Sequence, residues 1–154
     1  AWVNDHDVMA NACMALNVNR ASLGVTSPIT FLASANCVEY CQGHVDFVDI
    51  DPTTLCLSPD ALTDYCRNGR APDVVIAVDF AGVVADLPAI YKISREYGFK
   101  VIEDAAHSLG STYSHEGKIY NAAGCSHSDL SILSFHPLKD NKHKIWGKPY
   151  YPRI

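Results

Sequence analysis

No stretch of this chain approaches the roughly 20 consecutive apolar residues of a membrane-spanning helix. No charged-then-apolar leader opens it either, so the expected location is the cytoplasm. Positive charge is in short supply: 12 Lys and Arg stand against 17 Asp and Glu, for a formal net charge of −5. That balance argues against a dominant nucleic-acid surface. There is no internal repeat, no low-complexity segment and no linker. There is also no CxxC pair and no two-plus-two spacing of zinc ligands, so no metal is expected, Cys125 and His127 being the closest mixed pair. The six cysteines, at 13, 37, 41, 56, 66 and 125, read as reduced thiols in apolar surroundings. Cys37 and Cys41, four residues apart, share a helix face.

What the chain does have is enough apolar material for one core, since 48% of its 154 residues are hydrophobic. Its pattern alternates. Val8 to Leu16 is rich in helix formers and apolar nearly all round, as a buried helix is. Leu23 to Thr26 is a brief apolar run that stops at Ser27-Pro28. Ile29 to Cys41 carries small and apolar residues at helical spacing, with Gly43 as a stop, and Val45 to Ile50 reads as a strand. Ser58-Pro59-Asp60 supplies an N-cap with proline at the first helical position, and Asn68-Gly69 closes that helix.

Val74 to Val78 is β-branched and bounded by turn signals, the mark of a strand buried on both faces. Asp86, Pro88 and Gly98 delimit an amphipathic helix to Tyr97, Lys100 to Glu103 is the next strand, and Leu130 to Leu133 another. Strand, helix, strand, helix, strand predicts an α/β fold with a mainly parallel sheet flanked by helices.

In such a sheet ligands bind beyond the carboxyl ends of the strands, where this chain offers a carboxylate at Asp104 and an amine at Lys139. On residue type alone each candidate has a plain alternative. A lone lysine is usually a solvated loop residue. Asp104 is a favoured cap for a following helix. Phe31 suits a core, and His107 and Ser134 suit satisfied polar sites near a sheet edge.

The blocks Thr26-Ser27-Pro28-Ile29-Thr30-Phe31, Phe47-Val48-Asp49-Ile50-Asp51, Val78-Asp79-Phe80-Ala81-Gly82, Val101-Ile102-Glu103-Asp104-Ala105-Ala106-His107-Ser108 and Ser134-Phe135-His136-Pro137-Leu138-Lys139 change the weighting. In order and spacing they resemble the DegT/StrS group of nucleotide-sugar aminotransferases, fold-type-I pyridoxal-phosphate enzymes. The likeness runs from about Val8 to Lys139. Its third and fifth blocks look most like the branch that makes 4-amino-4,6-dideoxy sugars for bacterial surface glycans.

The resemblance implies that Lys139 is the lysine that holds pyridoxal 5'-phosphate covalently. It implies that Asp104 pairs with the pyridinium nitrogen, that His107 lies against the cofactor ring or its hydroxyl, that Ser134 binds the phosphate and that Phe31 stacks on the ring. Glutamate would give the amino group and a keto nucleotide sugar would take it. The chemistry asks for such groups on its own account. A lysine amine attacks a carbonyl only when unprotonated, and a carboxylate that keeps the ring nitrogen protonated makes the ring an electron sink.

The departures from the family pattern are as specific. Asp5-His6 stands where family members carry Gly-Thr at a phosphate-binding helix start, and an aspartate there opposes an anion. After Lys139 the family continues into a further strand, a long helix and a smaller domain, whereas residues 140–154 form a divergent tail. The expected organisation is therefore a truncated large-domain segment over 1–139 followed by that tail. Trp146, Tyr150 and Tyr151 in the basic tail suggest stacking on single strands, but the acidic remainder argues against nucleic acid. Apolar surface left by a missing domain favours a homo-oligomer. The competing expectation is a catalytically inactive remnant that self-associates without cofactor. The dehydratase branch of the family replaces the lysine with histidine, and Lys139 argues against it.

Overall fold

Five consecutive apolar residues with three β-branched side chains among the first three leave a strand no face to show to water. In the computed structural model, which describes residues 5–134, Val74–Val78 is such a strand, with every residue buried. In chain order the elements are α1 (Asp5–Ala15), β1 (Leu23–Thr26), α2 (Leu32–Tyr40), β2 (His44–Phe47), α3 (Pro59–Asn68), β3 (Val74–Val78), α4 (Leu87–Tyr97), β4 (Lys100–Asp104), β5 (Thr112–His115), β6 (Lys118–Asn121) and β7 (Leu130–Ile132). Lys139 and the 140–154 tail lie outside the described residues.

Among the described residues, β2, β1, β3, β4 and β7 form one sheet in that order, and every pairing in it is parallel. This is the α/β fold the alternating pattern predicts. Helices cover both faces. Val75 and Ala77 of β3 look toward a core shared with Leu62 of α3, Ile90 of α4 and Phe99. Val74, Ile76 and Val78 look the other way, toward Met9 and Cys13 of α1 and Ala33, Cys37 and Val38 of α2. The period-two alternation of one strand thus feeds two separate hydrophobic layers.

The helix ends follow local chemistry. The Ser58 side chain accepts the Ala61 N–H at 3.2 Å with Pro59 in the first turn. Asp86 does the same for Ala89 at 3.2 Å, and α4 stops at Gly98 in the left-handed region, φ 83°. Among the boundaries that differ from expectation, α1 begins at Asp5 rather than Val8, and two others have a local cause. Helix α2 starts at Leu32 rather than Ile29, because the chain bends at residues 28–30 and Phe31 is still extended, with ψ 145°. Strand β2 ends at Phe47 instead of running to Ile50, which makes an isolated bridge to Leu57.

The hairpin of β5 and β6 was not anticipated. It turns on Glu116 and Gly117, both with positive φ (48° and 74°), which is the backbone of a tight two-residue hairpin loop. Tyr113 of β5 stacks on Tyr120 of β6 at 5.4 Å between ring centroids, and the Tyr113 hydroxyl lies 2.8 Å from His127 Nδ1. Cys125, read as a core thiol, is exposed instead. It sits at φ 51° in the loop before β7, with its thiol donating to Ser131 Oγ at 3.1 Å. Cys41 is half-buried and the other four cysteines are buried.

Strand β2 is one edge of the sheet and is largely exposed. The Asp46 carboxylate accepts the Phe47 N–H at 2.8 Å and the Tyr65 hydroxyl of α3 at 2.8 Å.

Gly24 of β1 sets how closely α2 approaches the sheet. A methyl group there would lie 2.4 Å from Val38 Cγ2, well inside contact distance. We predict that Gly24→Ala lowers stability by about 1–3 kcal/mol in urea denaturation, the usual range for overpacking. Combining it with Val38→Ala should cost less than the sum of the two single changes, because the second removes the atoms that the first strikes.

Candidate functional site

Parallel pairing brings strand ends to a common rim. Val78 of β3 stands opposite Asp104 of β4, and Asp104 opposite Ile132 of β7. At β1 the order of strands reverses, β2 lying on one side and β3 on the other. The connections that leave β1 and β3 diverge there, opening a crevice beyond the carboxyl ends. The crevice holds a cleft of about 170 Å³ whose walls include Phe31, Val78, Asp79, Phe80, Asp104 and His107.

Asp104 is the last residue of β4 and is 6% exposed. Its Oδ2 accepts the hydroxyl of Ser34, from α2, at 2.7 Å, and its Oδ1 accepts the Ala106 N–H at 3.2 Å. Turns follow it and no helix, so the alternative of a helix cap does not describe this carboxylate. His107 stands half-buried on those turns, its ring 6.4 Å from that of Phe80 and tilted by 52°. Phe31, the residue before α2, leaves 46% of its surface exposed at the cleft wall rather than entering the core.

Three of the five residues singled out in the sequence, Phe31, Asp104 and His107, thus meet around one cleft although they span more than half of the described chain. Ser134 is buried two residues beyond β7 and is not among the cleft-lining residues. Lys139 lies outside the described residues.

Two participants escaped the sequence reading. Ser34 holds Asp104 from another layer, a pairing that a separation of 70 residues conceals. Asp79, directly after β3, is fully buried at the cleft wall. Burial pushes its carboxyl up to about 7 against the pull of hydrogen bonds from Ser108 and Ala85, and the nearby Glu103 and Asp104 add to the rise. The signal that marks Asp104, an acid closing an apolar strand, was present for Asp79 in Val74-Val75-Ile76-Ala77-Val78-Asp79.

A family model, the DegT/DnrJ/EryC1/StrS aminotransferase family, matches residues 7–141. The chain belongs to that family. Among solved structures it is similar to a DegT/DnrJ/EryC1/StrS aminotransferase from Brucella abortus, at 25% identity and a TM-score of 0.72, covering 87% of this chain and 36% of that one. It is also similar to NtdA from Bacillus subtilis, solved with bound cofactor PMP, at 27% identity and a TM-score of 0.72, covering 86% of this chain and 28% of that one. The aminotransferase TlmJ from Streptoalloteichus hindustanus, 23% identical with a TM-score of 0.72, shares the fold over 86% of this chain and 34% of its own. The chain therefore spans about a third of the length of these aminotransferases. Its parallel sheet is the one they share, a portion of the fold-type-I architecture.

We predict that Ser34→Ala, which strips the buried Asp104 of its hydroxyl donor, lowers stability by about 1–3 kcal/mol in chemical denaturation. Ser34→Thr, which keeps the hydroxyl, should recover most of that loss if the larger side chain finds room.

Proposed function

We propose that this chain carries the large-domain part of a pyridoxal-phosphate-dependent aminotransferase that moves an amino group from glutamate to a keto nucleotide sugar. The observation that carries the reading is the buried Asp104 carboxylate at the β4 end, facing a cleft with Phe31 and His107 in its walls. Those residues suit a flat nitrogen heterocycle. A buried acid can answer a protonated ring nitrogen, and an exposed aromatic face can lie against a ring. Family membership supports the class of reaction.

When bound, pyridoxal phosphate supplies the electron sink for the pair released as the substrate's C–H bond breaks. In this reading Asp104 holds the proton on the ring nitrogen, its own orientation fixed by Ser34 and Ala106. Phe31 would lie along the ring, His107 would face the ring or its hydroxyl, and Ser134 would take the phosphate. Lys139 holds the cofactor and moves a proton to and from the substrate carbon as general base and acid. The forms Val78-Asp79-Phe80-Ala81-Gly82 and Ser134-Phe135-His136-Pro137-Leu138-Lys139 support a 4-amino-4,6-dideoxy sugar as the product class.

The same reading places the large-domain segment over 1–139, a divergent tail after it, and the protein in the cytoplasm. No helix among the described residues is long and apolar enough to cross a membrane. Apolar side chains left open around the fold, Leu32, Val83 and Leu109 among them, support self-association. The net charge of −5 supports neither a nucleic-acid nor an anionic-membrane partner.

One observation favours a second reading, a self-associating fold without cofactor. Asp5-His6 stands in the sequence where family members carry Gly-Thr, and an aspartate at that point disfavours a phosphate. One experiment separates the two. Pyridoxal phosphate added to the protein should produce an absorption band near the visible edge that disappears on borohydride reduction and does not form with Lys139→Ala. A wild-type protein that shows no band overturns the cofactor reading.

A further inference from the structure

Asp79 is the buried titratable group at the cleft to which the mechanism gives no task. It follows β3, is fully buried and forms part of the cleft wall. Its own N–H donates to the Asp104 carbonyl at 3.0 Å, so the two acids stand on neighbouring strand ends. Its Oδ1 accepts the Ala85 N–H at 2.9 Å, and its Oδ2 meets the Ser108 hydroxyl.

That hydroxyl also lies 3.3 Å from the Ala105 carbonyl. A serine hydroxyl has one proton and serves one of two acceptors at a time. If Asp79 is ionised it accepts the hydrogen bond of this hydroxyl, and the Ala105 carbonyl keeps only the Ser108 N–H, at 3.0 Å. If Asp79 is protonated it donates to Ser108 Oγ, and the serine proton passes on to Ala105. The second arrangement uses every partner.

The surroundings favour it too. Asp104 and Glu103 face Asp79 from β4, both acids. Tyr113 of β5 and Cys56 of the loop before α3 also feel its charge, and burial raises both, the tyrosine to about 12. Among the described residues no ion pair includes Asp79, and the titratable group that shares its cleft wall besides Asp104 is His107.

We propose that Asp79 is a positioning residue, held as the neutral acid, whose proton ties the end of β3 through Ser108 to the turn after β4 and so sets His107 against the cleft. The neutral side chain adds no negative charge to that wall. Its carboxyl, raised by burial to about 7, lies above the ordinary carboxylate value of about 3.9. The stability it contributes is therefore complete in acid and lost as pH rises through about 7. An ionised, hydrogen-bonded aspartate would do the reverse.

The test has two arms, of which only the second rests on the cofactor reading. In the first, urea midpoints of the unliganded chain are compared from about pH 6 to about pH 8.5. The wild-type midpoint should fall relative to that of Asp79→Asn, while Asp79→Ala is lower at every pH. A wild-type midpoint that stays level with or rises relative to that of Asp79→Asn across this range overturns the proposal, since an aspartate ionised in both states would not titrate there. Should the asparagine variant not fold, the wild-type curve decides alone, a level or rising curve overturning the proposal and a fall supporting it. In the second arm, pyridoxal phosphate binding is followed by absorbance at acid-to-neutral pH. Asp79→Asn should bind within about twofold of wild type and Asp79→Ala about tenfold more weakly, the scale of one lost hydrogen bond. An asparagine variant as weak as the alanine variant overturns the proposal. If the wild type binds no cofactor, the reading of the site as a cofactor site fails, and the pH curves still decide the state of Asp79.

Discussion

Parallel hydrogen bonding between β1, β3, β4 and β7 is the constraint from which the site follows. Strands that run the same way end at the same rim, whatever the sequence between them. Here the register sets Val78 beside Asp104 and Asp104 beside Ile132, so residues far apart in the chain become neighbours without any direct attraction between them. The arrangement rests on the packing of the strands, and Val78, which also lines the cleft, takes part in it. It is set by β-branched side chains along β3 and β4 that fill the two hydrophobic layers.

Helix α2 carries that order from the sheet to the carboxylate. Gly24 lets Val38 press directly on β1, and one turn earlier Ser34 reaches Asp104. Successive helical residues point about 100° apart, so a slip of one residue in the packing of α2 would turn Ser34 away from its partner. Core packing and site geometry are therefore the same fact seen from two ends of one helix. Phe31, just before that helix, takes its place at the cleft from the same seating.

How much of this was legible depended on the element. Val74 to Val78, the Ser58 and Asp86 caps and Gly98 speak through strictly local chemistry, and each appears where the sequence puts it. The β5 and β6 hairpin was silent because its strands are four residues each, polar and largely exposed, with only Glu116-Gly117 to announce the turn. The start of α2 was misjudged because small residues at helical spacing extend upstream of the point where the backbone first turns helical. At the site, Asp104, His107 and Phe31 were legible through family blocks and strand-end logic. Ser34 was not, because nothing in a nine-residue run of small and apolar side chains says which hydroxyl will meet an acid 70 residues away. Asp79 was overlooked for a different reason: its strand was read for burial and its terminal acid only as punctuation.

Among the described residues, strand β2 is bonded to β1 on one flank and to no strand on the other. His44 and Val48 turn their N–H groups inward to Ser22 and Thr26, so by alternation the N–H of Phe47 points away from the sheet. The Asp46 carboxylate has already claimed that outward donor, and it brings a negative charge to the place where a foreign strand would have to dock. Three residues on, just beyond the end of the strand, Asp49 likewise takes the N–H of the residue after it, Ile50, at 2.8 Å. An open border of this kind is a template for runaway stacking of chains. Here short acidic side chains have blunted it by folding back on their own backbone.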